Sequence, residues 1–221
     1  MRKGQKTAAI SHGLLVVSLA LLFLSGCNGK TKAFDYGRVE NGKYINAFFN
    51  FELTLPQGWV VQTKEQMDNI SKVGKDMIAG DDQGMKAMLD AAEINSANLL
   101  ALFKYEVGAA VAFNPSFMMV AENLKNAPGV KNGGDYLYHT REILKQARIQ
   151  YQFTEDEFET KKIDGQEFYV MNTSFNYMNR TVQQSYYSTI RSGFCISAVI
   201  SYLDDEQKNE LEAVAGSIMF D

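Results

Sequence analysis

The reactive side chains of this 221-residue chain are few: two cysteines, Cys27 and Cys195, and two histidines, His12 and His139. Cys27 follows Leu24-Ser25-Gly26 at the end of the apolar run 13–23, which is itself preceded by Arg2, Lys3 and Lys6. A basic start, a short apolar stretch and small residues before a cut are the layout of an export signal, and the stretch is shorter than the roughly 20 apolar residues of a comfortable membrane span. An uncleaved anchor is the alternative reading of residues 1–26. Cleavage removes His12 and leaves His139 as the one imidazole. That excludes a multi-histidine metal site and leaves a single candidate for a histidine base.

Such a base needs a nucleophile. Asp135 and Glu142 lie near His139 in sequence, yet no Gly-x-Ser-x-Gly elbow supplies a serine, so a helix-boundary histidine is the favoured reading. Cys195 alternates with Ser197 and Val199 in a strand register, with Arg191 its nearest basic neighbour, and reads as a buried thiol. Asp81-Asp82, Glu155-Asp156-Glu157 and Asp204-Asp205-Glu206 invite a calcium reading. None has the alternating oxygen ligands of an EF-hand loop, and acidic helix starts account for the first and last. Gly133-Gly134 offers backbone amides to an anion, but a glycine pair alone is a common loop feature. Trp59, beside Pro56 and Gly58, is expected to pack under a turn rather than cap a ligand cleft. Tyr177, Tyr186, Tyr187 and Tyr202 form a tyrosine-rich strand region, the first candidate for a partner surface unless helices cover it. No residue is assigned a catalytic, metal-ligating or cofactor-binding role, and no cofactor is expected.

The elements that position these residues are legible in the hydrophobic spacing. Phe51, Leu53 and Leu55 alternate with Glu52 and Thr54, a strand ended by Pro56 and Gly58. Residues 64–79 and 82–94 read as helices, with Met67, Ile70, Val73, Met77 and Ile78 on one face of the first and Met85, Met88, Leu89 and Ala92 on the second. Their methionines are read as core packing rather than a ligand groove. Residues 98–124 give two apolar strands around a turn at Glu106 to Gly108, with Pro115 marking an edge or a bulge. From Gly134 the spacing of Leu137, Thr140, Leu144 and Ala147 is helical. Beyond residue 151 come strand-like runs with turns at Asp164-Gly165, Asn179-Arg180 and Ser192-Gly193, an antiparallel meander. Asp204 as N-cap with Gln207 three residues on opens a final helix whose stripe is Leu211, Val214, Ala215 and Ile218. The pattern predicts an α+β domain on one antiparallel sheet with helices packed over it.

Two resemblances extend this reading. The run that ends in Leu24-Ser25-Gly26-Cys27 resembles the lipobox of bacterial lipoproteins. That implies diacylglyceryl transfer to the Cys27 thiol, cleavage before it and a lipid anchor on the outer side of the cell membrane. Cys195 is then left unpaired, which excludes an internal disulfide framework. The chain from Cys27 onward carries 19 basic against 26 acidic residues, a formal charge of −7. That charge speaks against nucleic acid as a partner and leaves membrane contact to the lipid. The second resemblance is to the PsbP/Mog-like superfamily. It rests on YINAFFNFELTLPQGW, AFNPSFMMVAEN, GGDYLYHTREIL, KIDGQEFYVM, VQQSYYSTIRSGFCISAVISY and SIMF, taken in order over residues 44–221. It implies an α/β/α sandwich with a central antiparallel sheet, and it transfers fold rather than function.

The expected organisation is a signal at 1–26, the lipidated Cys27 with a short tether at 27–40, and one PsbP-like domain at 41–221. The expected function is a lipid-anchored extracytoplasmic module that binds an envelope protein or small ligand or supports an assembly. The alternative is a hydrolase-like envelope enzyme using His139 or an acidic pair.

Overall fold

A computed structural model describes residues 33–221; the expected signal and Cys27 lie outside them. The chain opens with a small sheet built from β1 (Arg38–Glu40), β2 (Lys43–Asn46) and β3 (Phe51–Thr54). Asn41 and Gly42 both take positive φ in the tight turn between β1 and β2, where asparagine and glycine tolerate the left-handed region. Phe51 and Leu53 are buried and alternate with Glu52 and Thr54, as the period of two requires. The folded unit includes residues before 41. Phe34 packs against Phe48, Phe49 and Phe194, and the Asp35 carboxylate accepts from the backbone of Gly37 and Ala47. Residues 34–40 therefore belong to the folded unit.

After β4 (Val60–Val61), two helices stand where the spacing places them: α1 (Lys64–Ala79) and α2 (Gln83–Ile94). Thr63 and Gln66 close a reciprocal capping box at the start of α1, and Asp82 caps α2 through the Met85 amide. Val73, expected on the packed face of α1, is exposed instead. Strands β5 (Ser96–Phe103) and β6 (Ser116–Asn123) follow, joined by a loop longer than the expected turn. Pro115 sits just before β6 and the bulge falls in β5, between Asn98 and Leu100. Helix α3 (Gly133–Lys145) is followed by β7 (Tyr151–Phe153), β8 (Glu159–Ile163), β9 (Gln166–Tyr177), β10 (Arg180–Arg191) and β11 (Phe194–Tyr202). The β9–β10 turn centres on Met178 and Asn179, both at positive φ, one residue earlier than expected. Helix α4 (Asp205–Gly216), capped by Asp204, leads to β12 (Met219–Phe220).

There are two sheets where one was expected. The main sheet runs β4-β5-β6-β11-β10-β9-β7 with β8 also on β9, and the small sheet runs β1-β2-β3-β12. Every strand pair is antiparallel. The second sheet is built from the consecutive strands β1, β2 and β3, and β12, from the far end of the chain, adds a fourth by pairing with β3 through Met219 and Phe220. One face of the main sheet carries Val170, Tyr187, Ala198 and Met119 in register, and packs against Leu211, Val214 and Ala215 of α4 and Tyr44, Phe51 and Leu53 of the small sheet. The opposite face lies under α1, α2 and α3, where Leu137 and Leu144 pack on Met171. The fold is thus α+β, with antiparallel sheets and four helices.

Candidate functional site

The helices on the second face leave a cleft between the α1–α2 pair and α3, floored by the main sheet. Two adjoining cavities, about 450 and 330 Å³, share Ala92, Glu122, Tyr136, Thr140 and Ile143 as lining. Glu122 enters this face because β6 alternates: it pairs with Ser96 of β5 and Cys195 of β11, whereas Ala121 faces the core under α4. Tyr136 arrives from α3, and its Oη donates to Glu122 Oε2 at 2.8 Å. Burial pushes the Tyr136 phenol well above its ordinary value, and the neighbouring Cys195 and Glu122 add to the shift. It is therefore a neutral donor at physiological pH.

Helix α3 is held against the sheet by its first turn. A Cβ at Gly133 would collide with the Ser188 carbonyl of β10, so only glycine permits this approach. Asn132 and Asp135 form a reciprocal capping box, and Asp135 also accepts from the Lys131 amide. The turn that was open to an anion reading already holds a carboxylate from its own chain.

The first chamber is walled by Leu124, Ala127 and Val130, with His139 at its exposed rim. The second reaches Ser71, Lys75 and Leu89. Lys75 bridges to Asp90 and Glu93 of α2, so its charge is already matched. The hydroxyls of the cleft are also engaged: Thr140 donates to the Tyr136 carbonyl, Ser96 to the Ala92 carbonyl and Ser71 to Asn98 Oδ1. None of these three donates to His139 or Glu122 as a nucleophile–base pair would require.

The tyrosines of the candidate partner surface do not share one face. Tyr187 (2% exposed) and Tyr202 (7%) point into the core under α4, where Tyr187 donates to Glu212. Tyr186, one residue along the strand, points to the opposite face and donates to Gln184. Tyr177 is exposed at 41% beside the β9–β10 turn. Cys195 is buried at 1%, and burial pushes its thiol up, away from the thiolate form. Trp59 packs partly buried against the main core, its amide closing the Pro56 turn. Among the described residues no group of three or more His, Cys, Asp and Glu is placed to hold a metal, and Asp82 and Asp204 serve as helix caps.

Glu122 and Tyr136 escaped the sequence reading. They stand 14 residues apart on different elements, and the available signal was one carboxylate in the otherwise apolar strand SFMMVAEN.

No protein-family model matches the chain, and no curated protein matches it. Solved structures do show likeness. Cyanobacterial PsbP (CyanoP) from Synechocystis sp. PCC 6803 is 15% identical with a TM-score of 0.49, over 90% of this chain and 99% of that one. LpqN, involved in cell envelope biogenesis of Mycobacterium tuberculosis, is 12% identical with a TM-score of 0.38, over 76% and 82%. The immunity protein TplEi of Pseudomonas aeruginosa is 7% identical with a TM-score of 0.39, over 82% and 99%.

Proposed function

We propose that this chain is a lipid-anchored extracytoplasmic binding lipoprotein whose binding site is the cleft between α1–α2 and α3. The lipobox-like Cys27 junction supports the anchor. The observation that carries the binding role is the cleft itself: apolar walls converging on Glu122, the second lining carboxylate, Glu93, being paired with Lys75, and with the Thr140, Ser96 and Ser71 hydroxyls already committed to backbone or amide partners. Few placed polar groups in a mostly apolar concavity are the usual make-up of a ligand site. An assembly of this kind fixes a partner's orientation without supplying the nucleophile and base that hydrolysis needs.

A photoreactive amino acid placed at Ile143, inside the cleft, and at Lys162, on β8, tests this in the native envelope. Adducts from position 143 and none from 162 are expected. Absence of any adduct from 143, together with substrate turnover abolished by His139→Ala in a folded protein, would replace the binding reading with the enzymatic one.

A further inference from the structure

The charges around the cleft are unequal. Glu122 accepts from Tyr136 at Oε2, and no described residue donates to its Oε1. The basic side chains that line the cleft do not answer it. Lys75 on α1 is held by Asp90 and Glu93 of α2, and His139 of α3 is exposed at the rim of the first chamber. Beta strands β5 and β11 contribute Ser96 and the buried, neutral Cys195 beside Glu122, neither of them a cation. A half-buried carboxylate with one oxygen unmet by protein donors, at the junction of an apolar chamber and a second one that also holds the Lys75–Glu93 pair, is the complement of a cation attached to an apolar body.

We infer that the cleft recognises a primary ammonium group carried on an apolar chain, its N–H donating to Glu122 Oε1 while the chain occupies the chamber lined by Leu124, Val130 and Ile143. The inference rests on the cleft being the binding site and adds the chemistry of its ligand. Tyr136 is a positioning residue: as a neutral donor it engages Oε2 and leaves Oε1 without a described protein donor.

The test uses the full chain and three probes of equal length, n-octylamine, octanol and octanoate, titrated calorimetrically at neutral pH. Octylammonium should bind about tenfold or more tightly than octanol, the ratio expected of one charge-assisted hydrogen bond, and octanoate should not bind. Glu122→Gln should remove that ratio. Equal binding of octylammonium and octanol to the unaltered protein, or an octylammonium preference that survives Glu122→Gln, would overturn the inference. The unaltered protein decides this even if Glu122→Gln fails to fold. Ala92→Trp, which fills the shared part of the cleft, tests the underlying reading separately: octanol binding unaffected by it would place the apolar site elsewhere. Loss of octanol binding in Ala92→Trp with no ammonium preference in the unaltered protein would refute the ligand class alone.

Discussion

Gly133 shows how one missing side chain positions a whole wall of the cleft. The backbone of α3 approaches β10 so closely that a methyl group meets the Ser188 carbonyl, which cannot retreat without breaking the β10–β11 ladder. Gly133→Ala should therefore destabilise the fold by about 1–3 kcal/mol, as overpacking does. Gly134→Ala should cost less, because its nearest neighbour is the Tyr169 ring, a side chain free to shift. Urea unfolding of the two variants checks the order, and equal midpoints would contradict it. Tyr44 gives a prediction in pH. It is buried and donates to the Tyr36 carbonyl, and burial raises its phenol from 10.0 to about 12, with the Asn46 hydrogen bond opposing and Asp35 adding to the rise. A raised pKa means that the folded state favours the neutral form. Its stabilisation is complete below pH 10 and is lost as pH climbs through about 12, amounting to about 2–3 kcal/mol. Tyr151, also pushed up to about 12 by burial, acts in the same window. Unfolding free energy should stay level to about pH 9 and then fall; Tyr44→Phe should start lower and fall less steeply, and parallel curves would refute the assignment.

At the scale of the element, local signals and long-range pairing separate cleanly. Helices α1, α2 and α4 were legible because each carries its own instructions: a capping residue, a 3.6-residue stripe and a terminating turn within a dozen or so positions. The β9–β10–β11 meander was legible for the same reason, its tight turns marking each reversal. The small sheet was legible only in part: β3 shows its period of two, but its pairing with β12 was not, since Phe51 and Phe220 meet across nearly the whole folded unit and the two residues of β12 are too few to show a period. The candidate site falls in this second group. Glu122 on β6 and Tyr136 on α3 are unremarkable alone, and only the packing of α3 makes them partners. The four tyrosines show the converse: their density in sequence suggested one surface, yet strand alternation sends Tyr186 and Tyr187 to opposite faces. Helix α3 is also where an element-scale prediction belongs. Asn132→Ala removes the acceptor for the Asp135 amide and half of the capping box, and should cost about 1 kcal/mol. Because α3 forms one wall of the cleft, amide hydrogen exchange should rise through residues 133–140 while that of β10 stays slow. Uniform exchange across both elements would show that α3 has no independent opening.

For the whole molecule, the consequential quantity is the distance between the folded unit and its proposed anchor. Among the described residues packing begins at Phe34, and Ala33 lies six positions, with five residues between, beyond Cys27. A fully extended chain of that length spans about 20 Å, so a lipid on Cys27 would hold the cleft-bearing unit close to the bilayer. An acyl anchor of two or more chains is durable where one is reversible, each buried methylene contributing about 0.8 kcal/mol. The formal charge of −7 from Cys27 onward opposes an anionic surface, so the proposed attachment would rest on the lipid alone. This predicts that cells grown with labelled palmitate incorporate label into the unaltered protein and none into Cys27→Ser, whose product leaves the membrane fraction or keeps its signal. The cores of the described unit should be unchanged, because they are built from Phe34 onward. Equal labelling of the two proteins would remove the lipid anchor while leaving the cleft, and its preference for ammonium over carboxylate, to be judged on the calorimetry alone.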